Sequence, residues 1–225
     1  MKGAQINLYN TDCMEGMKEF PDNYFHLAIV DPPYGINASS KSFLRTGAKR
    51  GKSLAISGMY KSSNWDSFSP SQKYFDELRR VSKNQIIWGA NHFISKIPID
   101  SSCWIVWNKD NGRNCYADCE LAYTSFKTAV RMFSFKWHGM LQGNMKNKEY
   151  RIHPTQKPVP LYIWLLENYT KSNKERILDT HLGSGSIAIA ADKLGFDLWG
   201  YELDKDYYEG AVNRLSEHRK QLRLF

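Results

Sequence analysis

The stretch Ile177-Leu178-Asp179-Thr180-His181-Leu182-Gly183-Ser184-Gly185-Ser186 joins an apolar run, a carboxylate and a glycine-rich turn. The apolar run predicts a buried strand at residues 176–179, and the alanine-rich segment behind the turn predicts a helix at residues 184–194. Glycine lets the backbone turn sharply and approach a ligand, and the start of a helix offers free N–H groups. Glu202 ends the next predicted strand, where a carboxylate can bind two ribose hydroxyls. This unit predicts an α/β fold with a nucleotide-like ligand at the strand ends.

The same glycine turn leaves two other interpretations open. The spacing Gly183-x-Gly185-x-x-Ala188 also fits the dinucleotide fingerprint, so an NAD-dependent oxidoreductase is an alternative. Asp179 argues against it, because a carboxylate there would repel a pyrophosphate but could hold an ammonium group. The chain also has no second nucleotide-binding half of the expected length. A glycine-rich turn without any ligand is the third interpretation.

A second informative strand end lies at Asp31-Pro32-Pro33-Tyr34, directly after the apolar run at residues 26–30. Neither proline has a backbone N–H, so the chain can neither continue a sheet ladder nor begin a regular helix there. The stiff turn presents a carboxylate, free carbonyl oxygens and an aromatic ring, which together suit a flat heterocycle bearing an amino group. Taken alone, the motif is also compatible with a rigid turn in which Asp31 caps a loop.

The positive charge of the chain is concentrated in two segments. The 225 residues carry a net charge of +8, and their number suits one α/β domain over residues 1–225. Residues 36–65 contain no acidic side chain and residues 126–152 contain one. Such segments predict contact with a polyanion, although a solubilising surface gives a similar composition. The candidate phosphate contacts are Lys41, Arg45, Lys49, Arg50, Lys52, Lys136, Lys146 and Lys148.

The cysteine pattern and the lack of long apolar runs predict a reducing, cytoplasmic setting. The four cysteines are scattered, and the sequence begins without an apolar signal region. No apolar run approaches membrane-spanning length, so no membrane partner is expected. Cys115, Cys119 and His138 lack the paired spacing of a zinc site, and no metal is expected either.

Hydrophobic periodicity predicts the remaining elements. Beyond the two segments already described, we expect a long loop at residues 36–65. An alternating aromatic stripe at residues 133–137 predicts a strand with one aromatic face, which suits either a core or a stacking platform. The other predicted strands are 5–9, 85–88, 104–107, 120–123 and 197–201, and the other helices are 71–81, 159–169 and 204–219.

With both motifs in view, the chain resembles the DPPY-containing DNA amino-methyltransferases, in the permuted beta class whose catalytic motif precedes its cofactor loop. The resemblance covers nearly the whole chain, and the motifs are specific in combination and order. It implies a Rossmann-like methyltransferase fold with a mixed, mostly parallel sheet and helices on both faces. It also implies S-adenosylmethionine as cofactor and double-stranded DNA as substrate. The matching segments are Asn10-Thr11-Asp12-Cys13, Asp31-Pro32-Pro33-Tyr34, Trp88-Gly89-Ala90-Asn91-His92-Phe93, His153-Pro154-Thr155-Gln156-Lys157-Pro158 and Asp179 to Ser186.

The resemblance implies a role for each matching residue. Asp31 and the Pro32 carbonyl would accept hydrogen bonds from the amino group of the target base, Pro33 completes the turn, and Tyr34 would stack on the base. Asp12 would lie near the adenine of the cofactor and Glu202 would hold its ribose hydroxyls. The implied cofactor-binding set is Asp12, Asp31, Lys157, Asp179, His181, Leu182, Gly183, Ser184, Gly185 and Glu202, with Lys157 near the cofactor carboxylate and Asp179 near its amino group.

Three positions of the cofactor loop depart from the family pattern. Thr180 and His181 replace a common Pro-Phe pair, and Ser186 replaces a common threonine. The family phenylalanine packs on the cofactor, so the contribution of His181 is an open question for the structure. The glycines and the carboxylate remain, and cofactor binding is expected to persist.

Family tendencies favour N6 of adenine as the methylated atom, because aspartate leads the motif here whereas serine is commoner in enzymes acting on cytosine. The base would have to be flipped out of the duplex. The short segment between Phe126 and His153 predicts a small recognition site or relaxed specificity. A bacterial or phage enzyme, with or without a restriction partner, fits, and relatives of the class often form homodimers. The alternatives are cytosine-N4 methylation, an RNA or protein amino-methyltransferase, the oxidoreductase above, and a DNA-binding module that has lost catalysis.

Overall fold

The computed structural model describes residues 4–36, 66–97, 99–112, 117–138 and 141–222. The strands in this part of the chain are β1 Ile6–Tyr9, β2 Phe25–Val30, β3 Ser82–Trp88, β4 Trp104–Asn108, β5 Cys119–Thr124, β6 Arg131–Ser134, β7 Trp137–His138, β8 Leu141–Gln142, β9 Arg176–Asp179 and β10 Asp197–Tyr201. The helices are α1 Cys13–Lys18, α2 Gln72–Val81, α3 Val159–Tyr169, α4 Ser186–Leu194 and α5 Lys205–Leu222, and two short 3-10 turns lie at Ala90–His92 and Ile94–Lys96.

Eight of the strands form one mixed sheet in the order β1-β10-β9-β2-β3-β5-β4-β6. The first five strands in this order are mutually parallel. β5 is antiparallel to both of its neighbours, and β6 pairs parallel with β4 at the edge. Strands β7 and β8 make a separate hairpin. The predicted mixed, mostly parallel sheet of a Rossmann-like fold is therefore confirmed.

Helices cover both faces of the sheet because alternate residues of the central strands are apolar on both sides. In β2, Leu27 and Ile29 pack into a core with α3, α4 and α5. Ala28 and Val30 of the same strand pack into a second core with α1 and α2. A parallel strand buried on both faces has to be apolar at nearly every position, which is the pattern that the sequence carries there.

Several predicted elements differ from the structure at their ends. The helix α4 begins at Ser186 and not at Ser184, because Gly185 adopts a left-handed conformation (φ 71°) as its N-cap. The aromatic stripe is not one strand: β6 ends at Ser134 and β7 begins at Trp137. Its partner strand β4 already ends at Asn108, and Asp110 turns the chain with a φ of 47°. The short helix α1, whose N-cap is Asp12, was not predicted.

The aromatic side chains of that stripe contribute to the core. Phe133 packs on Trp164 of α3, with ring centroids 5.5 Å apart, and on Phe135 at 6.0 Å. Trp137 is buried and its indole N–H donates to the Gln156 carbonyl oxygen at 2.7 Å. Of the two uses that the sequence left open, the contacts favour core packing.

Of the predicted loop at 36–65, only Ile36 belongs to the described residues, and Lys41, Arg45, Lys49, Arg50 and Lys52 lie outside them. Among the helices that are described, none is both long and apolar enough to cross a membrane.

Gly185 provides a direct test of the packing between the glycine turn and α5. A Cβ atom at this position would lie 2.9 Å from the Ala211 Cβ and 3.3 Å from its Cα, which is too close without a backbone shift. We expect Gly185→Ala to lower the free energy of unfolding by about 2–4 kcal/mol, the sum of left-handed strain and overpacking. Urea unfolding followed by circular dichroism measures this loss.

Gly112→Ala is the matched control for this substitution. Gly112 has a similar φ of 68°, but a Cβ atom at this position would have nothing within 4 Å of it. It should lose only about 1 kcal/mol, the cost of left-handed strain. Equal losses for the two variants would contradict the close approach of Gly185 to α5.

Candidate active site

A cleft of about 460 Å³ opens at the carboxyl ends of the parallel strands. Its size suits a small ligand that is largely enclosed. The chain brings four carboxylates to its wall: Asp12 beyond β1, Asp31 after β2, and Glu202 and Asp204 after β10. Parallel strands place their carboxyl ends at one edge of a sheet, so residues distant in sequence meet there. The wall is therefore acidic and suits a ligand with positive charge.

The glycine turn forms one side of the cleft. The backbone N–H of Gly183 donates to Glu202 Oε2 at 2.8 Å, and the N–H of Asp204 donates to Glu202 Oε1 at 2.9 Å. Burial raises the pKa of Glu202, and these two donors oppose the rise. No atom lies closer than 3.9 Å to a Cβ built on Gly183, so the backbone there faces open space. The turn thus holds the carboxylate in place and leaves room for a ligand.

Asp179 lies at the end of β9 and is buried, with 2% of its surface exposed. It does not line the cleft, whereas the next five residues, 180–184, do. Burial raises the pKa of Asp179 to about 8, and the hydrogen bond that it accepts from the His181 N–H at 3.0 Å lowers it only in part. No lysine or arginine in the described part of the chain forms an ion pair with it. Within that part of the chain, the site therefore contains a carboxyl group that lacks a cation.

His181 is a neutral, half-buried ring in the position where the family pattern has phenylalanine. Burial lowers the pKa of His181 to about 4. Its Nδ1 lies 2.9 Å from the Thr180 hydroxyl, which in turn lies 2.6 Å from the hydroxyl of Tyr74. The His181 ring meets the edge of the Tyr74 ring at 5.4 Å. Thr180 and His181, the two residues that replace the family's Pro-Phe pair, are within hydrogen-bond distance of each other. The replacement therefore keeps an uncharged ring at the cleft wall.

The catalytic motif is held through its backbone. Asp66 is 1% exposed, and its Oδ1 accepts hydrogen bonds from the N–H groups of Tyr34 and Gly35 at 2.6 and 2.9 Å. The Tyr34 ring stacks on His92 at 4.9 Å and leaves no room for a side chain at Gly89. These contacts fix the turn between β2 and the segment that follows β3. Asp66 is a supporting residue that the sequence analysis missed, because nothing local marks its use.

The side chain of Asp31 has protein partners on both oxygens. Its Oδ1 accepts a hydrogen bond from the Tyr34 hydroxyl at 2.7 Å, and its Oδ2 accepts one from Lys157 Nζ at 2.5 Å. Lys157 Nζ also lies 3.0 Å from Glu120 Oε2. Burial raises the pKa of Asp31, and the Lys157 ammonium opposes this. Lys157 lines the cleft, but the structure places its ammonium between two carboxylates, and its contact with a cofactor carboxylate stays a prediction.

The structure brings most of the predicted site residues together. The cleft wall includes Asp12, Asp31, Pro33, Lys157, His181, Leu182, Gly183, Ser184 and Glu202. Pro32, Tyr34, Asp179 and Gly185 are not part of the wall: Tyr34 packs behind Asp31, and Gly185 packs against α5. Glu120, the second residue of β5, was missed because its partner Lys157 is distant in the chain. Within the described ranges, no group of three or more His, Cys, Asp or Glu side chains could hold a metal ion.

Of the predicted phosphate contacts, Lys136, Lys146 and Lys148 belong to the described residues. They lie beside the β7–β8 hairpin. Lys146 and Lys148 are exposed in the turn that follows it. Lys136 is paired with Asp110 at 3.1 Å, with 44% of the lysine side chain exposed. The Gln142 side chain anchors the turn by bonding both backbone groups of Glu149, and Glu149 pairs with Arg214 of α5 at 2.7 Å. The turn is thus tied to the same helix that packs on the glycine turn.

Solved structures with this architecture are methyltransferases. The complex of M1.HpyAVI with S-adenosylmethionine matches with a TM-score of 0.57 and 21% identity, over 94% of this chain and 100% of that one. The cytosine-N4-specific PvuII DNA methyltransferase matches with a TM-score of 0.60 and 10% identity, over 98% of this chain and 93% of that one. Together with the strand order of the sheet, this likeness defines the fold as Rossmann-like.

Sequence comparison assigns the family. A family model for N6 and N4 methyltransferases, described as DNA methylase, matches residues 103–213. The Type II methyltransferase M.HinfI of Haemophilus influenzae is 26% identical over 92% of this chain and 67% of its own length. The Type II methyltransferase M2.MboI of Moraxella bovis is 22% identical over 94% of this chain and 88% of its own length. These matches indicate an S-adenosylmethionine-dependent DNA methyltransferase of the N6/N4 type.

Proposed function

We propose that this chain transfers a methyl group from S-adenosylmethionine to the N6 amino group of adenine in double-stranded DNA, with the base flipped into the site. The observation that carries the proposal is the position of Asp31, which stands at the cleft wall in a turn held rigidly by Asp66. An amino group of the base that binds this carboxylate would lie beside the part of the cleft that the glycine turn lines. The family tendency of aspartate-led motifs supports adenine as the base.

The residues that line the cleft, together with Asp179 directly before Thr180 in the chain, fit the cofactor. Asp179 is a buried carboxyl group without a cation among the described residues, and the ammonium of the cofactor's methionine part would supply one. Glu202 would hold the ribose hydroxyls, and Asp12 would lie near the adenine. When bound, S-adenosylmethionine supplies an activated, positively charged methyl donor. The acidic wall suits that charge, and the open backbone at Gly183 gives it room.

Asp31 and Pro32 would prepare the target amine. An aromatic amine is a poor nucleophile because its lone pair is delocalised into the ring. Two acceptors outside the ring plane, the Asp31 carboxylate and the Pro32 carbonyl, would draw its N–H bonds towards tetrahedral geometry and localise the pair. Positioning then supplies much of the acceleration. The Tyr34 hydroxyl now occupies Asp31 Oδ1, and the amino group would take its place while the ring stacks on the base.

Cytosine-N4 methylation is the second candidate. The PvuII enzyme, which is named as cytosine-N4-specific, has the same fold with a TM-score of 0.60. Both bases present an exocyclic amino group to the same kind of acceptor pair. The fold therefore supports either base, and the preference for adenine rests on the aspartate that leads the motif.

The basic turn at residues 143–148 is the described surface that would contact DNA phosphates, together with Lys136. A second contact would come from the basic residues at 41–52. The proposal also includes a single domain over residues 1–225 and a short recognition site. It further includes a cytoplasmic setting and assembly as a homodimer. The Type II methyltransferases among the relatives support a role in a restriction-modification system.

The first test identifies the methylated base. The protein is incubated with methyl-labelled S-adenosylmethionine and unmodified duplex DNA, and the DNA is digested to nucleosides and analysed by mass spectrometry. We expect N6-methyladenine, and N4-methylcytosine as the product would overturn the choice of base. Asp31→Asn keeps the shape of the side chain but replaces one carboxylate oxygen with an NH2 donor and removes the negative charge, so its rate should fall by about 100-fold or more. Calorimetry should find its cofactor affinity within a few-fold of wild type.

A second test uses the pKa of Asp179. Since this pKa is about 8 in the protein by itself, the carboxyl group is mostly protonated at pH 7, and an incoming ammonium group should displace the proton. We expect about one proton released per cofactor bound at pH 7, and an affinity that weakens about tenfold per pH unit below pH 8. Calorimetry in phosphate and in Tris buffer measures the release, because the two buffers differ in ionisation heat.

Asp179→Asn should abolish this proton release. Asp197→Asn, at the opposite end of the neighbouring strand β10, is the control and should leave the release unchanged. Equal heats for the wild type in both buffers would mean that Asp179 does not meet the ammonium.

A third test measures the phosphate contacts. Lys146→Gln combined with Lys148→Gln should weaken DNA binding and reduce the slope of log K against log salt by about 1.8, which is about 0.9 for each lost contact. Lys171→Gln combined with Lys174→Gln removes the same charge from exposed positions near the start of β9, at the opposite edge of the sheet. An equal change in slope for both pairs would indicate general attraction and not a specific surface.

A further inference from the structure

Four alternating charges run from Asp31 into the sheet. Asp31 pairs with Lys157 at 2.5 Å, Lys157 pairs with Glu120 at 3.0 Å, and Glu120 pairs with Lys109 at 2.5 Å. Each carboxylate therefore has an ammonium neighbour, and the charges of the four side chains sum to zero. The family motifs account for Asp31 and Lys157 individually, but not for Glu120 or for the connection between them.

Lys157 is enclosed at the centre of this series. Its side chain is 2% exposed. Its Nζ lies 5.3 Å from the centroid of the Trp88 ring and 5.9 Å from that of Tyr34, so aromatic faces and carboxylates surround the charge. An ammonium removed from water is tolerated only when it is paired in this way. Burial favours the neutral amine, but Asp31 and Glu120 outweigh it and raise the pKa of Lys157.

The sheet fixes the two carboxylates that share the ammonium. Asp31 follows β2 and Glu120 lies in β5, with β3 between these strands. Trp88 is the last residue of β3, and its fully buried ring fills the space between them. The two carboxylates therefore stand directly after β2 and within β5, and Lys157 reaches them from the segment that precedes α3.

We infer that Lys157 and Glu120 are positioning residues, in which the enclosed ammonium orients the Asp31 carboxylate as an ionised hydrogen-bond acceptor and Glu120 holds that ammonium in place. The inference rests on the proposed function, in which Asp31 accepts the amine of the base. Only an ionised carboxylate has acceptors on both oxygens, because a protonated one presents an O–H donor. With both oxygens available as acceptors, the role of Asp31 in this proposal is to align the amine.

Burial by itself raises the pKa of Asp31 and so favours the protonated form. The groups that face it are the Lys157 ammonium and Tyr34 hydroxyl in contact, Glu120 beyond the lysine, and Asp179, Tyr74 and Tyr162 on the cofactor side. Lys157 is the only cation among these groups. Removing its charge should raise the pKa of Asp31. Glu120 acts in the opposite direction, since its negative charge raises the pKa of Asp31.

The test is the pH dependence of single-turnover methyl transfer at saturating cofactor and DNA. Lys157→Met should shift the acidic limb of the profile to higher pH by about one unit or more. At a pH on that limb, the rate should therefore be about tenfold lower than in the wild type. Glu120→Gln should move the limb to lower pH, because it removes a negative charge near Asp31. The plateau rate of Glu120→Gln should fall several-fold, because Lys157 loses its second carboxylate partner. Opposite shifts from two neighbouring residues are not expected from a general loss of structure.

Two further variants keep the test decisive. Lys157→Met leaves buried carboxylates unpaired and could fail to fold, so the double variant Lys157→Met/Glu120→Gln removes both charges and should still show the upward shift. Asp192→Asn is the control: it breaks an ion pair with Arg219 at 2.6 Å on helices α4 and α5, where the carboxylate side chain is 12% exposed, and should leave the limb unchanged. Thermal unfolding of every variant reports on folding.

Cofactor affinity, measured by calorimetry, separates this inference from the alternative role of Lys157. If Lys157→Met loses about tenfold or more in cofactor affinity while the limb stays in place, the lysine binds the cofactor carboxylate and the inference is wrong. An unshifted limb in Glu120→Gln would also overturn it. A wild-type protein that transfers no methyl group to DNA would instead contradict the proposed function itself.

Discussion

The parallel pairing of β2 with β9 is the constraint on which the site depends. It sets Leu27 opposite Ile177 and Ala28 opposite Leu178, so both strands end at the same edge of the sheet. A shift by one residue would turn every side chain of β2 to the other face and exchange the two cores. The register therefore decides at once how the helices pack and where the two strand ends meet. The distance between the base site and the cofactor site follows from it.

The buried carboxyl groups at this edge differ in how their charge is balanced. Asp31 and Glu120 share the ammonium of Lys157, while Asp179 has no cation among the described residues. The consequence is that Glu120 has its pKa lowered to about 2 and Asp179 has its pKa raised to about 8. The part of the site that contains Asp31 and Glu120 thus has its negative charge paired by a cation of the protein itself. In the proposed function, the ammonium of S-adenosylmethionine would supply the cation that the other part lacks among the described residues.

The fold could be predicted from the sequence to a large extent, because the elements that decide it are periodic over short distances. The predicted bounds of the helix Val159–Tyr169 and of the strands Arg176–Asp179 and Asp197–Tyr201 agree with the structure. The errors lie where a neighbour decides the outcome. The aromatic stripe at residues 133–137 alternates like a strand, but its partner β4 ends at Asn108, opposite Ser134, and Phe133 packs on Trp164 of α3.

The sequence by itself determined the positions of Asp31 and of the glycine turn at the ends of buried strands, because each motif is contiguous and each follows an apolar run. The order of the motifs also determined the class. Only the tertiary structure decided that Lys157 meets Asp31 and Glu120, and that Asp66 holds the Tyr34 turn. These contacts join parts of the chain that have no local relation, and the contact of Lys157 with Glu120 also depends on β5 lying antiparallel beside β3. Pairing between distant strands is chosen by the packing of the whole sheet, and no short pattern encodes it.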